Sequence, residues 1–335
     1  MTILVTGGDG YIGSHCVIAL LEEGYDVLSF DNHTTGFRET GNTISEIKTK
    51  GRFLGSVEGD LLNTKNLDSL FNSYEVDAVI HLAALSQVGE SMKDPMKYYR
   101  NNIVGTMNLL DSMIAHGVKR IVFSSTAATY GEPEYTPIDE NHPQNPINSY
   151  GRTKLYIERM MDDYDKAHGL KSVKLRCFNV AGADLQCRVG ECHDPETHLI
   201  PNILKSTFDD GSEFCIFGDD YPTRDGTCIR DYVNVEDLAK AHVLALHYLE
   251  KNDKTDFFNI GTNEGSTVKE VFAECERVTG VRIPVRIESR RPGDPAVLVA
   301  DNNKAKTILG WKLEHTLADS IRTAYAWEKK RRGIR

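Results

Sequence analysis

The opening stretch constrains the fold more than any other part of the chain. Ile3–Thr6 is an apolar, partly β-branched run, and Gly7, Gly10 and Gly13 follow it immediately. Apolar residues then recur at helical spacing from Tyr11 to Glu23, with Gly24 as the stop. This order predicts a buried strand, a tight turn and a helix. A turn whose backbone must come close to a pyrophosphate excludes side chains, and the amides of the following helix attract the anion. The plainer alternative is a glycine-rich turn without a ligand. Further strands are predicted at Asp26–Phe30, Ala78–Leu82 and Arg120–Ser124, with one long helical segment, Pro95–His116, between the last two. Strand–helix alternation implies right-handed crossovers and a parallel sheet covered on both faces.

The expected class is therefore α/β, a Rossmann-type doubly wound parallel sheet with a smaller C-terminal substrate lobe. The sheet domain is placed at residues 1–178. From about Asn179 the pattern becomes irregular, with turn clusters such as Gly218–Pro222, and residues 179–335 are read mainly as the lobe. Helix-like segments at Val235–Glu250 and Val268–Thr279 are expected to return to the first domain, the returning part being placed near 231–262. The basic stretch Lys329–Arg332 follows a helical segment and suits that helix's carboxyl end.

Composition removes several classes of function. A chain with 40% hydrophobic and 26% charged residues has too much apolar material for disorder. The net charge of −10 argues against general affinity for nucleic acid or an anionic membrane, although a few local arginines still permit a phosphorylated ligand. No run approaches the roughly 20 apolar residues of a bilayer span, and MTILVTGGDG does not read as a secretory signal. Seven cysteines, scattered from Cys16 to Cys275, fit a reducing cytosol, so a cytoplasmic location is expected. Cys187, Cys192 and His193 are the nearest approach to a metal motif. They lack a second ligand pair and are read as structural, with no metal expected.

Three features carry chemistry. Asp31 ends the second strand, where a carboxylate accepts hydrogen bonds from an adenosine ribose and repels a 2′-phosphate, which favours NAD over NADP. Asp60–Leu61 is placed to edge the adenine, or is an ordinary acidic turn after a strand. Tyr150 and Lys154 stand one helical turn apart in a segment that reads as helical from Ser149. An ammonium beside a phenol favours the phenolate and lowers its pKa from about 10, which yields a usable base near neutrality. An exposed Tyr and Lys on a solvated helix is the alternative. The hydroxyls of Ser124, Ser125 and Thr126 in the stretch Phe123–Thr126, at the carboxyl edge of the sheet, tilt the reading toward a site.

With these residues in view, the chain resembles the extended short-chain dehydrogenase/reductase family, and within it the epimerases of UDP-hexoses. The resemblance rests on TGGDGYIGSH, Asp31–Asn32, HLAALSQVGES, YYRNNIVGT, FSSTAATYGEP, NSYGRTK, LRCFNVAGA, IFGDDYPTRDGTCIRDYVNVEDLA and RRPGDPAVLVAD, from residue 2 to about 311. It implies an isomerase of galactose metabolism that interconverts UDP-glucose and UDP-galactose through a transient 4-keto sugar, with NAD bound and a homodimer as partner state. Tyr150, Lys154 and Thr126 fall at its catalytic positions. Gly7, Gly10, Tyr11, Ile12, Gly13, Asp31, Asn32, Asp60, Leu61, Leu82, Ala83, Ala84, Ser86, Asn101, Ser124, Tyr150, Lys154 and Phe178 fall at cofactor positions. Thr126, Tyr150, Asn179, His198, Leu199, Phe217, Arg230, Arg291, Asp294 and Leu298 fall at sugar-nucleotide positions, with Phe217 at the uracil. The arginines agree with a reading from chemistry alone, since a guanidinium binds diphosphate oxygens bidentately. Read without the resemblance, Arg230–Asp231 is a surface ion pair.

The chain departs from its relatives at four positions. Thr126 stands where many have serine, Ser86 where some have a cofactor-contacting lysine, and His198 where others have asparagine. Leu298 replaces the tyrosine of relatives restricted to glucose and galactose, which leaves room for an N-acetyl group; packing within a Val-Leu-Val strand is the alternative. Two rivals share the hydride chemistry, a nucleotide-sugar 4,6-dehydratase and a net dehydrogenase. The dehydratases carry an Asp-Glu pair after the threonine, where this chain has Ala127–Ala128. A catalytically inactive NAD-binding regulator is the reading from another class.

Overall fold

The computed structural model describes residues 1–208, 213–291 and 294–334. Strands β1 (Thr2–Thr6), β2 (Asp26–Asp31), β3 (Phe53–Glu58), β4 (Ala78–His81), β5 (Arg120–Thr126), β6 (Lys171–Cys177) and β7 (Asp256–Ile260) form one sheet. Its order is β7-β6-β5-β4-β1-β2-β3. Every pairing is parallel. Successive residues of β1 face opposite ways, as a strand requires. Ile3 and Val5 enter one core with Val17, Leu20 and Leu246, while Leu4 enters the other with Leu28, Leu109 and Leu110. Both faces are thus covered, and β1 is buried apart from its first residue.

Helix α1 (Tyr11–Glu23) starts at Gly10 and ends at Gly24, whose φ of 105° closes the helix through amide bonds to Leu20 and Leu21. Strand order reverses between β1 and β4, so the loops at their carboxyl ends diverge and open a crevice, the usual ligand position in such sheets. Helix α2 (Ser149–His168) carries the Tyr-x-x-x-Lys pair and is capped by the Asn148 side chain, which accepts from the Gly151 amide.

The expected helix Pro95–His116 is interrupted. A short turn at Pro95–Tyr98 passes into a π-helical segment, Tyr99–Val104, and only then into a regular helix, Gly105–Ala115. The buried Asn102 accounts for the position of this widened turn. Its carboxamide bonds both the amide and the carbonyl of Leu85 and reaches the Thr153 hydroxyl. Such π segments recur at functional sites, and this one carries Asn101 to the crevice wall.

A further core gathers Ile200, Ile203 and Leu204 of α3 (Leu199–Ser206) with Phe214, Ile216, Val271, Phe272 and Ile321. Helix α4 (Val235–Asn252) instead contributes Leu238 and Leu246 to the core that holds α1, whereas the helix Val268–Thr279, also expected to return to the first domain, stays in the lobe because Val271, Phe272 and Cys275 pack into its core. Among the described residues no helix is long and apolar enough to cross a membrane. All seven cysteines carry free thiols.

Candidate active site

A cleft of about 1190 Å³ runs from the first β–α turn, past the ends of β4 and β5, to the lobe. At one end the glycine turn is sterically closed to side chains. Gly7 has a φ of +72°, and a Cβ there would meet the Ala83 amide nitrogen at 2.7 Å. A Cβ on Gly13 would lie 1.9 Å from the Gly7 carbonyl oxygen. No side chain caps the start of α1, so its first amides face the cleft as donors for an anion. The Asp31 carboxylate accepts from the amides of Asp9 (3.1 Å) and His33 (2.8 Å) and lines the cleft. Burial pushes its carboxyl above the ordinary range, opposed by the His33 amide. A carboxylate has more acceptor positions than two amides use, which leaves capacity for a ribose hydroxyl.

At the middle of the cleft stand Thr126, Tyr150 and Lys154. The Lys154 ammonium donates to the Ser124 carbonyl at 2.8 Å and lies 6.0 Å from the centre of the Tyr150 ring. Here the pKa expectation needs correction. Burial raises the Tyr150 phenol to about 12, opposed by its hydrogen bond with Thr126. Burial likewise lowers Lys154 to about 8. Desolvation of both groups outweighs the attraction expected from their spacing, because the ammonium is drawn to a carbonyl rather than to the phenol.

On the lobe side Arg230 is buried, and the structure holds it through three of its five N–H donors. It donates to the carbonyls of Ile229 and Pro295, each at 2.8 Å, and to the Asp294 carboxylate at 2.5 Å. The ion pair with Asp231 does not form. Asp231, in the break between the short strands Ile229–Arg230 and Tyr232–Asn234, instead accepts from Thr262, Asn263 and Ala300. The guanidinium of Arg291 lies 4.0 Å over the Phe217 ring. Leu298 is half-buried against Ala127, Tyr130, Ile138, Phe178 and Ala300, and it faces the cleft as well.

The model for the GDP-mannose 4,6 dehydratase family matches residues 4–324. A UDP-glucose 4-epimerase of Halalkalibacterium halodurans is 49% identical over 98% of this chain and 96% of its own. The chain belongs to the UDP-glucose 4-epimerases of the extended short-chain dehydrogenase/reductase family. Among solved structures, the UDP-glucose 4-epimerase of Bifidobacterium longum in complex with NAD+ and UDP superposes with a TM-score of 0.94, at 39% identity over 98% of both chains. The UDP-Glc/GlcNAc 4-epimerase of Campylobacter jejuni gives 0.85, at 38% identity over 98% of this chain and 99% of that one.

Within this family member, the structure brings together nearly all of the residues singled out from sequence. Gly7, Gly10, Tyr11, Ile12, Gly13, Asp31, Asn32, Asp60, Leu61, Leu82, Ala83, Ala84, Ser86, Asn101, Ser124, Thr126, Tyr150, Lys154, Phe178, Asn179, His198, Leu199, Arg230, Arg291, Asp294 and Leu298 all line the one cleft. Phe217 is the exception. It is not among the lining residues, because its ring lies beneath Arg291.

Sequence reasoning missed the support behind the centre. Glu158, one further turn along α2 from Lys154, accepts from Arg176 Nη2 (2.7 Å) and Ser125 Oγ (2.5 Å). Arg176 in turn donates to the Tyr130 hydroxyl at 2.9 Å, and that hydroxyl donates to Asn259 at 2.6 Å. The recurrence of Tyr150, Lys154 and Glu158 every four residues was the available signal. Cys177, which lines the cleft beside Ser124, was also overlooked.

Proposed function

We propose that this chain interconverts UDP-glucose and UDP-galactose by 4-epimerisation through a transient 4-keto sugar. The observation that carries the proposal is the convergence of Tyr150, Thr126 and Lys154 in one cleft between the glycine cradle and Arg230. NAD fits the cradle. Only glycine is accommodated at Gly13, the start of α1 is uncapped, and Asp31 stands where a 2′-phosphate would be repelled. Bound there, NAD supplies an acceptor for the C4 hydride and returns it within the same turnover.

Tyr150, as phenolate, takes the proton of the sugar 4-hydroxyl, and Thr126, hydrogen-bonded to it, holds the same oxygen. Lys154 holds the nicotinamide ribose, and its ammonium would turn from the Ser124 carbonyl toward the phenol, 6.0 Å away at the ring centre, to help it ionise. Arg230 and Arg291 anchor the diphosphate while the 4-keto sugar turns to present its other face. Elimination of water, as a 4,6-dehydratase performs, requires an acid and a base after Thr126. Ala127 and Ala128 occupy those places.

Incubating the purified protein with UDP-galactose should give UDP-glucose without net NADH. A 4-keto-6-deoxy product, accumulating NADH or no product would refute the reading. Heat denaturation should release NAD(H) and no NADP(H).

The proposal extends to UDP-N-acetylglucosamine and UDP-N-acetylgalactosamine. Leu298 leaves space that a tyrosine ring would fill, and contact with the acetyl methyl is worth about 0.8 kcal/mol. Leu298→Tyr should suppress the acetylated reaction and spare the simple one. Failure of the wild type to turn over UDP-N-acetylgalactosamine would end this extension.

The working form in this proposal is a cytoplasmic homodimer, with residues 1–178 and the returning segment 231–262 holding the dinucleotide and the lobe holding the sugar nucleotide. Exposed Met96, Val104, Met107 and Tyr156 on adjoining helices support an apolar interface between copies. The free thiols support a reducing compartment.

A further inference from the structure

We propose that Glu191, His193, Glu196 and His198 form a binding site for one zinc ion on the wall of the cleft. One ligand atom from each of the four lies within 4.8 Å of the others. Zinc bonds to imidazole nitrogen and carboxylate oxygen measure about 2.0–2.2 Å, so donors around one ion stand roughly 3.4 Å apart in a tetrahedron. Small side-chain adjustments bring this group to that spacing. The mixture of two nitrogens and two oxygens favours zinc over calcium or magnesium, which take oxygen donors.

The charge balance points the same way. The side chains of Glu191 and Glu196 are only 7% and 3% exposed. Their ion-pair partners are the imidazoles of His193 and His198. Buried carboxylates require compensation; a dication would supply it in place of the imidazole protons, whose release frees the nitrogen lone pairs to complete the shell.

The surroundings already hold the donors in place. The Glu191 carbonyl accepts from the Trp327 indole at 2.8 Å. The Tyr11 ring meets the His193 ring edge-on, with centroids 6.4 Å apart, and the two imidazoles are 5.3 Å apart. Fixed surroundings of this kind set ligand orientation in metal sites. Only His193 is shared with the cysteine-based grouping considered from sequence.

Four protein donors leave no open position, which makes the site structural rather than catalytic. The ion would tie the irregular segment that follows Gly182 to the start of α3, where His198 and Leu199 line the cleft. The metal site itself does not depend on the epimerase reading.

The test uses the full chain without a histidine tag, equilibrated with micromolar zinc chloride and dialysed. Metal content is read by mass spectrometry and affinity by competition with a coloured chelator. One zinc per chain is expected, together with a raised Tm. Glu191→Gln and the more exposed His198→Asn should each weaken binding by roughly 10–100-fold or more, while Cys192→Ser should leave it unchanged. Circular dichroism confirms that each variant is folded. A wild type without stoichiometric zinc overturns the proposal. So does a zinc affinity in His198→Asn equal to that of the wild type, or one lost in Cys192→Ser. None of these readings involves turnover, so failure here and failure of the proposed activity are distinguishable.

Discussion

Replacing Glu158 by Gln tests the buried network behind the catalytic centre. The Glu158 and Arg176 side chains are 4% and 5% exposed. Glu158 accepts from the guanidinium at both Nε and Nη2 and also takes the Ser125 hydroxyl. Glutamine keeps the volume but leaves the guanidinium buried without its counter-charge, a loss of about 3–5 kcal/mol in comparable pairs. The Tyr130 and Phe257 rings, 5.2 and 4.5 Å from the guanidinium carbon, soften that loss toward its lower end. At about 2.1 cal/mol/K per residue, the unfolding entropy of 335 residues is roughly 0.7 kcal/mol/K. A loss of about 3 kcal/mol then lowers Tm by about 4 °C. Thermal and urea unfolding followed by circular dichroism measure it. The double variant Glu158→Leu/Arg176→Met should recover most of the stability, since removing both charges avoids the uncompensated one. A fall below about 1 °C in the single variant, or no recovery in the double one, refutes the reasoning.

Tyr150→Phe should reduce turnover by roughly 10²–10⁴-fold while NAD content stays unchanged; near-normal rates would remove the phenol from the mechanism. Gly13→Ala places a methyl 1.9 Å from the Gly7 carbonyl oxygen, so the purified variant should retain little dinucleotide, as read by release on heating. Burial lowers His81 to about 3 and both His15 and His242 to about 4. All three are neutral in the folded chain and protonate once unfolded, so their stabilisation is full above pH about 6.5 and is lost as pH falls toward 4. Each contributes roughly 2 kcal/mol to the loss between pH 7 and 5. The urea midpoint of His242→Leu should therefore fall less steeply with acid than that of the wild type, and equal slopes would contradict the assignment.

The periodic parts of this chain were readable before any coordinates. Strand β1, the three glycines and α1 form one local unit whose signals lie within about twenty residues of each other, and the structure matches the expectation almost residue for residue. Strand β3 escaped notice because its side chains are only partly buried and show little alternation. The π segment at Tyr99–Val104 was invisible for a different reason. It depends on Asn102 reaching Leu85 and Thr153, partners distant in sequence.

Which residues can do chemistry was determined by the sequence itself: a tyrosine and a lysine one helical turn apart, a carboxylate ending β2, and arginines in the lobe. What those groups do to each other was decided only by tertiary structure. Arg230 pairs with Asp294 rather than with its neighbour Asp231, and Phe217 lies beneath Arg291. Burial sets Tyr150 high and Lys154 low, against the expectation from spacing. The physical reason is that periodicity and local turns depend on neighbours along the chain. Desolvation and ion pairing depend instead on whatever the fold packs around each group.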